Sequence, residues 1–292
     1  MNRTALGVLS GQGLSILFTM VAVGTAFAEP PGMAMAGLVS PSVRYTLIAL
    51  ALAVLIVETL PRSLLLKVMP ENLSFPLAMP EYVEGLDLEA LQKYTNSLEA
   101  SGFVRAMDYR LEAEGEVSFP GFGRLFIHPA HQCYGEVNQV VLPNGRGLPM
   151  RCAIASSLER GWLICTTDRD PDPVNHVLRN PQVLWVSRPD ELVQDLLHGH
   201  IVTRGQIASD LNAGVTEELS TAAYLALQQQ EIVAQREVIK RRSMSVALVE
   251  AFLFALRPRY EWLGDYPRIA AGTTTKAAKV RRRDARSDAA RA

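Results

Sequence analysis

The sequence predicts an α+β protein: two N-terminal transmembrane helices, an antiparallel β-meander of 5–6 strands flanked by helices, and a long C-terminal helix. Three observations carry this. Apolar residues dominate from Ala5 to Met69. Short alternating runs bounded by turn residues follow to Ser187, and helical spacing takes over after Pro189. Across all 292 residues, 48% are hydrophobic and the formal charge is −1. That average fits an ordinary globular chain, so the distribution decides the class.

Ala5 to Ala28 contains no charged residue. At ~1.5 Å per residue it makes about 36 Å of helix, enough for a ~30 Å hydrocarbon core. Arg3 ahead of it and Ala26-Phe27-Ala28 before Glu29 also fit a secretory signal cleaved after Ala28. The second segment opens with Ser40-Pro41, an N-cap followed by proline at the first helical position. It predicts a span over 45–66, from Tyr45 to Leu66. Glu58 and Arg62, four apart, can pair on one helix face near the headgroups, and Lys67 can reach outward to them.

Arg3, Arg62 and Lys67 flank the spans on one side, and only Arg44 lies in the connecting loop. This split predicts both termini, and the soluble domain, on the cytoplasmic side. Cys133, Cys152 and Cys165 are odd in number and widely spaced, which argues against a disulfide framework and fits a reducing compartment. The predicted organisation is a membrane anchor over 1–69 (spans 5–28 and 45–66), a proline-marked linker over 70–82, a cytoplasmic α+β domain over 83–265, and a disordered basic tail over 266–292.

Leucines at 86, 88, 91 and 98 predict an amphipathic helix ended by Gly102. Strand-like runs follow at Phe103–Leu111, Arg124–His128, Tyr134–Leu142, Pro149–Ser156, Trp162–Thr167 and Gln182–Ser187. Asn144-Gly145 between two of them signals a hairpin, since both positions accept positive φ, and Glu159-Arg160-Gly161 signals another turn. Leu192, Val193, Leu196, Leu197 and Ile201 then place a helix over Asp190–Leu211. A long helix is predicted from Thr216 to Leu256, very polar over Gln228–Arg242 and almost wholly apolar over Met244–Leu256. Thirteen residues are too few to cross a bilayer. That end predicts either a helix packed on the sheet or an interfacial segment, with basic residues on both sides for anionic headgroups. From Lys276 to Ala292 seven Lys or Arg face two Asp, which suits a solvated tail or an anionic lipid contact.

His128-x-x-His131-x-Cys133 is the most metal-like cluster, because imidazole and thiolate suit zinc; Cys152 or Cys165 would have to supply a fourth ligand. The bland reading is a turn around Pro129 with ordinary histidines. His198 and His200 lie two apart on a helix and point in different directions. Asp168-x-Asp170-x-Asp172 opens like a calcium loop but has proline at the turn position and Arg179 at the twelfth. Glu112, Glu114 and Glu116 read as one solvated strand face, Ser156-Ser157 lacks a nucleophile elbow, and neither Gly121-Phe122-Gly123 nor Gly145-Arg146-Gly147 completes a phosphate loop. No cofactor is implied, and near-neutral charge predicts no specific nucleic acid partner.

The expected function is therefore a membrane-anchored protein whose cytoplasmic domain is a protein- or ligand-binding module, with the lipid bilayer as its first partner. Two alternatives stay open. One is a metal-dependent enzyme built on His128, His131 and Cys133; the other is a structural membrane protein that self-associates through its helices.

Overall fold

The computed structural model describes residues 41–113, 121–142, 145–262, 264 and 266–271. The predicted first span, Ser40, Glu114, Glu116, Asn144 and the basic tail beyond 271 lie outside them.

The described chain opens on helix α1 (Pro41–Val68), of which Tyr45–Val68 is long and apolar enough to cross a membrane; none of its apolar window is buried. It is the one such helix among the described residues. A two-residue strand β1 (Leu73–Ser74) follows where a linker was expected. Helix α2 (Leu88–Ala100) is capped by Asp87, which accepts from the Ala90 N–H at 2.9 Å.

Strands β2 (Val104–Ala113), β3 (Gly121–His128), β4 (Cys133–Val140), β5 (Arg151–Leu158) and β6 (Trp162–Thr167) then pair in sequence, each antiparallel to the last. The predicted turn between β5 and β6 is present, with Arg160 and Gly161 at φ 65° and 77°. Helix α3 (Pro173–Leu178) leads to β7 (Val183–Ser187), and helix α4 (Val193–Leu211) follows. Helix α5 (Thr221–Arg241), helix α6 (Met244–Leu256) and the short β8 (Glu261–Trp262) complete the order.

The architecture is α+β, but the sheet differs from the predicted antiparallel meander. It has eight strands in the order β1 to β8 and is mixed, because β7 runs parallel to β6. The reason is the connection. Fifteen residues, 168–182, lie between these strands and include α3, which carries the chain back to the starting end. The edge strands β1 and β8 are two residues each and were not legible in the sequence.

The second correction concerns the long C-terminal helix. Thr216 does not start it: Ser220 does, accepting from the Ala223 N–H at 3.0 Å. It is also broken into α5 and α6 at Arg242, which is extended at φ −87°, ψ 143°. Ser243 caps the new helix, and the Glu58 carboxylate from α1 completes that cap. It accepts from the Met244 N–H at 2.9 Å, the Ser245 N–H at 3.2 Å and the Ser243 hydroxyl at 2.7 Å. The Arg62 guanidinium lies 3.5 Å from the same carboxylate and donates to the Arg242 carbonyl at 2.9 Å. An uninterrupted helix would keep these N–H groups for itself; the break releases them to a buried acid.

Helix α1 is held a second time at its C-terminal end. Arg236 of α5 donates to the Leu66 carbonyl at 3.0 Å and to Met69, and pairs with Glu71 at 2.7 Å. Carbonyls left open by the last turn of α1 thus receive a cation, which the helix dipole favours.

The main core lies between one face of the sheet and α2 and α4. Leu91, Leu98, Phe122, Phe126, Ile154 and Leu196 meet there, and Trp162, Ile164, Leu184, Ile207 and Leu211 continue it beneath the second half of α4. Tyr266, in a helical stretch over 266–271, packs on that second cluster and donates to Asp210. Inside this face sits a buried ion pair. Arg124 of β3 reaches Asp108 of β2 with two donors at 2.8 and 2.7 Å, and its third goes to Thr95 of α2 at 2.8 Å. Both charges are almost wholly buried, and Asp108 also pairs with the half-exposed Arg105. Replacing Arg124 with leucine should cost about 3 kcal/mol, because buried Asp108 then keeps only Arg105 as a charged partner. Denaturant unfolding of the single variant, and of Arg124→Leu with Asp108→Leu, checks this: the second change should recover part of the loss.

Candidate functional site

The predicted metal cluster does not assemble into a ligand set. His128, at the end of β3, pairs across the sheet with Cys133 at the start of β4. Its Nδ1 accepts from the His131 N–H at 3.2 Å, and its Nε2 lies 3.1 Å from the Ser101 carbonyl, so both nitrogens are engaged. Cys133 is fully buried in the main core, where burial pushes its thiol up to about 12 and keeps it protonated. Cys152 is buried in that core too, and Cys165 is buried further along the sheet; all three are free thiols. Among the described residues no group of three or more His, Cys, Asp or Glu is placed to hold a metal ion.

The other sequence candidates find structural roles. Asp168 accepts from the Cys152 N–H at 2.9 Å and the Tyr94 hydroxyl at 2.5 Å, and Asp172 caps α3 by accepting from the Asn175 N–H. Glu112 stands exposed near Arg110. His198 and His200 diverge as expected: His198 is exposed and His200 is fully buried. The ring nitrogens of His200 lie 2.8 Å from the Ser156 hydroxyl and 3.0 Å from that of Thr166. A serine beside a histidine suggests nucleophilic chemistry, yet all three residues are fully buried and none lines a described cavity. This is a satisfied polar knot that ties α4 to β5 and β6.

The opposite face of the sheet, under α5, has space. At the N-terminal end of α5, Tyr224, Leu225 and Leu227 meet Tyr109, Leu125, Tyr134 and Phe75. Further along, the α5 backbone comes closer to α1 and α3 than to any strand. The strands below carry small side chains, Ala153, Ala155 and Cys165. Two adjoining cavities of about 310 and 290 Å³ result, and they share Glu136, Asn138, Arg169, Gln228 and Ile232. The first also reaches Val68, Pro70 and Leu73, where the chain leaves α1. Such volumes match those of small-molecule sites. A third cleft near Arg179 and Trp262 holds only about 60 Å³, room for a few waters.

Polar groups converge on the shared wall. The Glu136 carboxylate accepts from the Tyr109 hydroxyl and from the Asn138 amide at 3.1 Å. Asn138 in turn accepts from Arg169 at 2.7 Å. Gln228 donates to the Tyr224 hydroxyl at 2.8 Å. Glu231 accepts from Gln235 at 3.1 Å. Burial and the neighbouring Glu136 hold the Tyr109 and Tyr224 hydroxyls far above the usual phenol range, so both remain donors. Burial raises Glu231 as well. Arg151 lines the second cavity at the start of β5, opposite Asn138. Gly123 allows this arrangement, since a Cβ there would sit 2.3 Å from the Tyr109 ring and displace its hydroxyl from Glu136.

Sequence reasoning passed over these residues. Glu136 and Asn138 alternate on β4, and Gln228, Glu231 and Gln235 recur at helical spacing, so each set marks one face. The available signal was the polarity of a helix that closes over a sheet.

No protein-family model, curated protein or solved structure matches this chain. The reading of the site therefore stands on its geometry alone.

The buried His200 gives a pH test of the framework. Burial, and then the Arg204 charge, lowers it from 6.5 to about 3, so it is neutral in the fold and takes up a proton on unfolding. Below pH 6.5 the unfolded chain binds the extra proton and stability should fall, by up to ~1.4 kcal/mol per pH unit from this group, until about pH 3. Thermal unfolding in detergent from pH 7 down to pH 4 should show a shallower decline for His200→Gln than for the wild type.

Proposed function

We propose that this chain is a membrane-anchored ligand-binding module. In this reading α1 spans the bilayer, and the domain behind it holds a small polar molecule between the sheet and α5. The observation that carries the proposal is the pair of adjoining cavities with acid, amide, phenol and guanidinium groups converging from β4, the end of β6 and α5. A packed core has no reason to leave such a space beside paired charges, because unfilled volume forfeits dispersion contacts and buried polar groups need partners. Glu136 and Glu231 opposite Arg151 and Arg169 suit a molecule that carries both donors and acceptors. Arg62 and Lys67 at the domain end of α1 support a cytoplasmic location for that domain.

The test is a ligand-observed NMR screen of small polar fragments against the detergent-solubilised full chain, repeated with Ala153→Trp, which fills the space under α5. Fragments that bind the wild type and lose binding in the variant support the site. Equal binding to both chains, with both folded by circular dichroism, places the fragments elsewhere and overturns it.

A further inference from the structure

Helix α6 presents an apolar surface that nothing in the fold covers. One side packs on α3 and the end of α1, through Met244, Ala247, Ala251, Leu65, Leu66 and Met69. The other side exposes Val246, Leu248, Val249, Phe252, Leu253 and Leu256, with Phe252 and Leu256 each 64% exposed. Six large apolar side chains on one 13-residue helix form the kind of contiguous patch that soluble surfaces avoid.

Its neighbour identifies what covers it. The N-terminus of α6 is capped by Glu58, which belongs to the helix long enough to cross a membrane. Thirteen residues separate Tyr45 from Glu58, about 20 Å along the axis at ~1.5 Å per residue. If Tyr45 marks one boundary of a ~30 Å core, Glu58 lies in the half nearest the domain. An acid is tolerated there only when its oxygens are satisfied, and an open helix start only when its N–H groups are. Glu58, Ser243 and Ser245 meet both demands at once, with Ser245 donating its hydroxyl at 2.5 Å. On α1, Leu60 and Leu64 are exposed as well. Beyond α6, Arg257, Arg259 and Tyr260 are exposed, as are Lys240 and Arg241 before it, which places cations and a tyrosine at headgroup level.

We infer that α6 is an interfacial helix: its exposed side lies in the acyl-chain boundary of the bilayer that α1 spans, and its basic flanks meet anionic headgroups. The inference rests on the membrane reading of α1 proposed above.

The test uses the full chain in vesicles of phosphatidylcholine and phosphatidylglycerol. A cysteine introduced as Val249→Cys, or in a second variant as Leu253→Cys, carries an environment-sensitive nitrobenzoxadiazole label. Val202→Cys on α4, equally exposed but across the sheet, is the control. The native thiols are buried, so the wild type should take up little reagent. The expected result is blue-shifted emission from 249 and 253, quenched by lipids with a nitroxide on the acyl chain, and water-like emission from 202. Water-like, unquenched emission from 249 and 253 overturns the inference, and so does label-free crosslinking of Val249→Cys between two copies, which would make a second chain the occupant. An alkaline carbonate wash separates the two ideas. If the wash strips the chain from the vesicles, the membrane reading of α1 has failed; if the chain stays and the labels remain in water, only the α6 inference has.

Discussion

The joining of α1 to the C-terminal helices turns on one carboxylate. Glu58 is the one acid in α1 and spends its oxygens on the first turn of α6, so these two helices share a hydrogen-bonded joint. Arg236 does the reverse at the far end of α1, giving a cation to open carbonyls. Between them a charge of each sign meets the helix end whose dipole favours it. A flexible tether would let the domain drift; two such joints fix its orientation relative to α1.

That orientation shapes the site. Because α5 is held by Arg236 to α1, and by Tyr224 and Leu227 to the sheet, its middle bridges the strands without collapsing onto them. The main core on the opposite face, with the Arg124–Asp108 pair inside it, holds the strands that form the floor. Wall and floor are thus set by separate interactions, and the polar groups come from both, Glu136 and Asn138 from β4 and Gln228 and Glu231 from α5.

The sequence made much of this legible. Alternation over Tyr134–Leu142 and the run of Trp162–Thr167 marked strands within a residue or two of where they lie, and leucine spacing marked α2 and α4. What escaped were features set by distant partners. Nothing in Arg242-Ser243-Met244 breaks a helix by itself; no glycine or proline is present, and the cap comes from an acid 186 positions earlier. The direction of β7 was equally hidden, because Gln182–Ser187 reads alike in either sense and Asp168–Asp172 looked like plain loop. The spacing of His128, His131 and Cys133 was real, but the Cys133 thiol is buried in the main core and the His128 nitrogens are taken up by Ser101 and the His131 N–H.

The separation of Glu58 from its partners also has a consequence in time. Synthesis runs at ~5–20 residues per second, so roughly 10 to 40 s pass between the appearance of the acid and that of Met244. Through that interval α1 carries a lone carboxylate with only Arg62, one turn further on, to answer its charge. The mature joint can therefore close only after α5 and the start of α6 have been made.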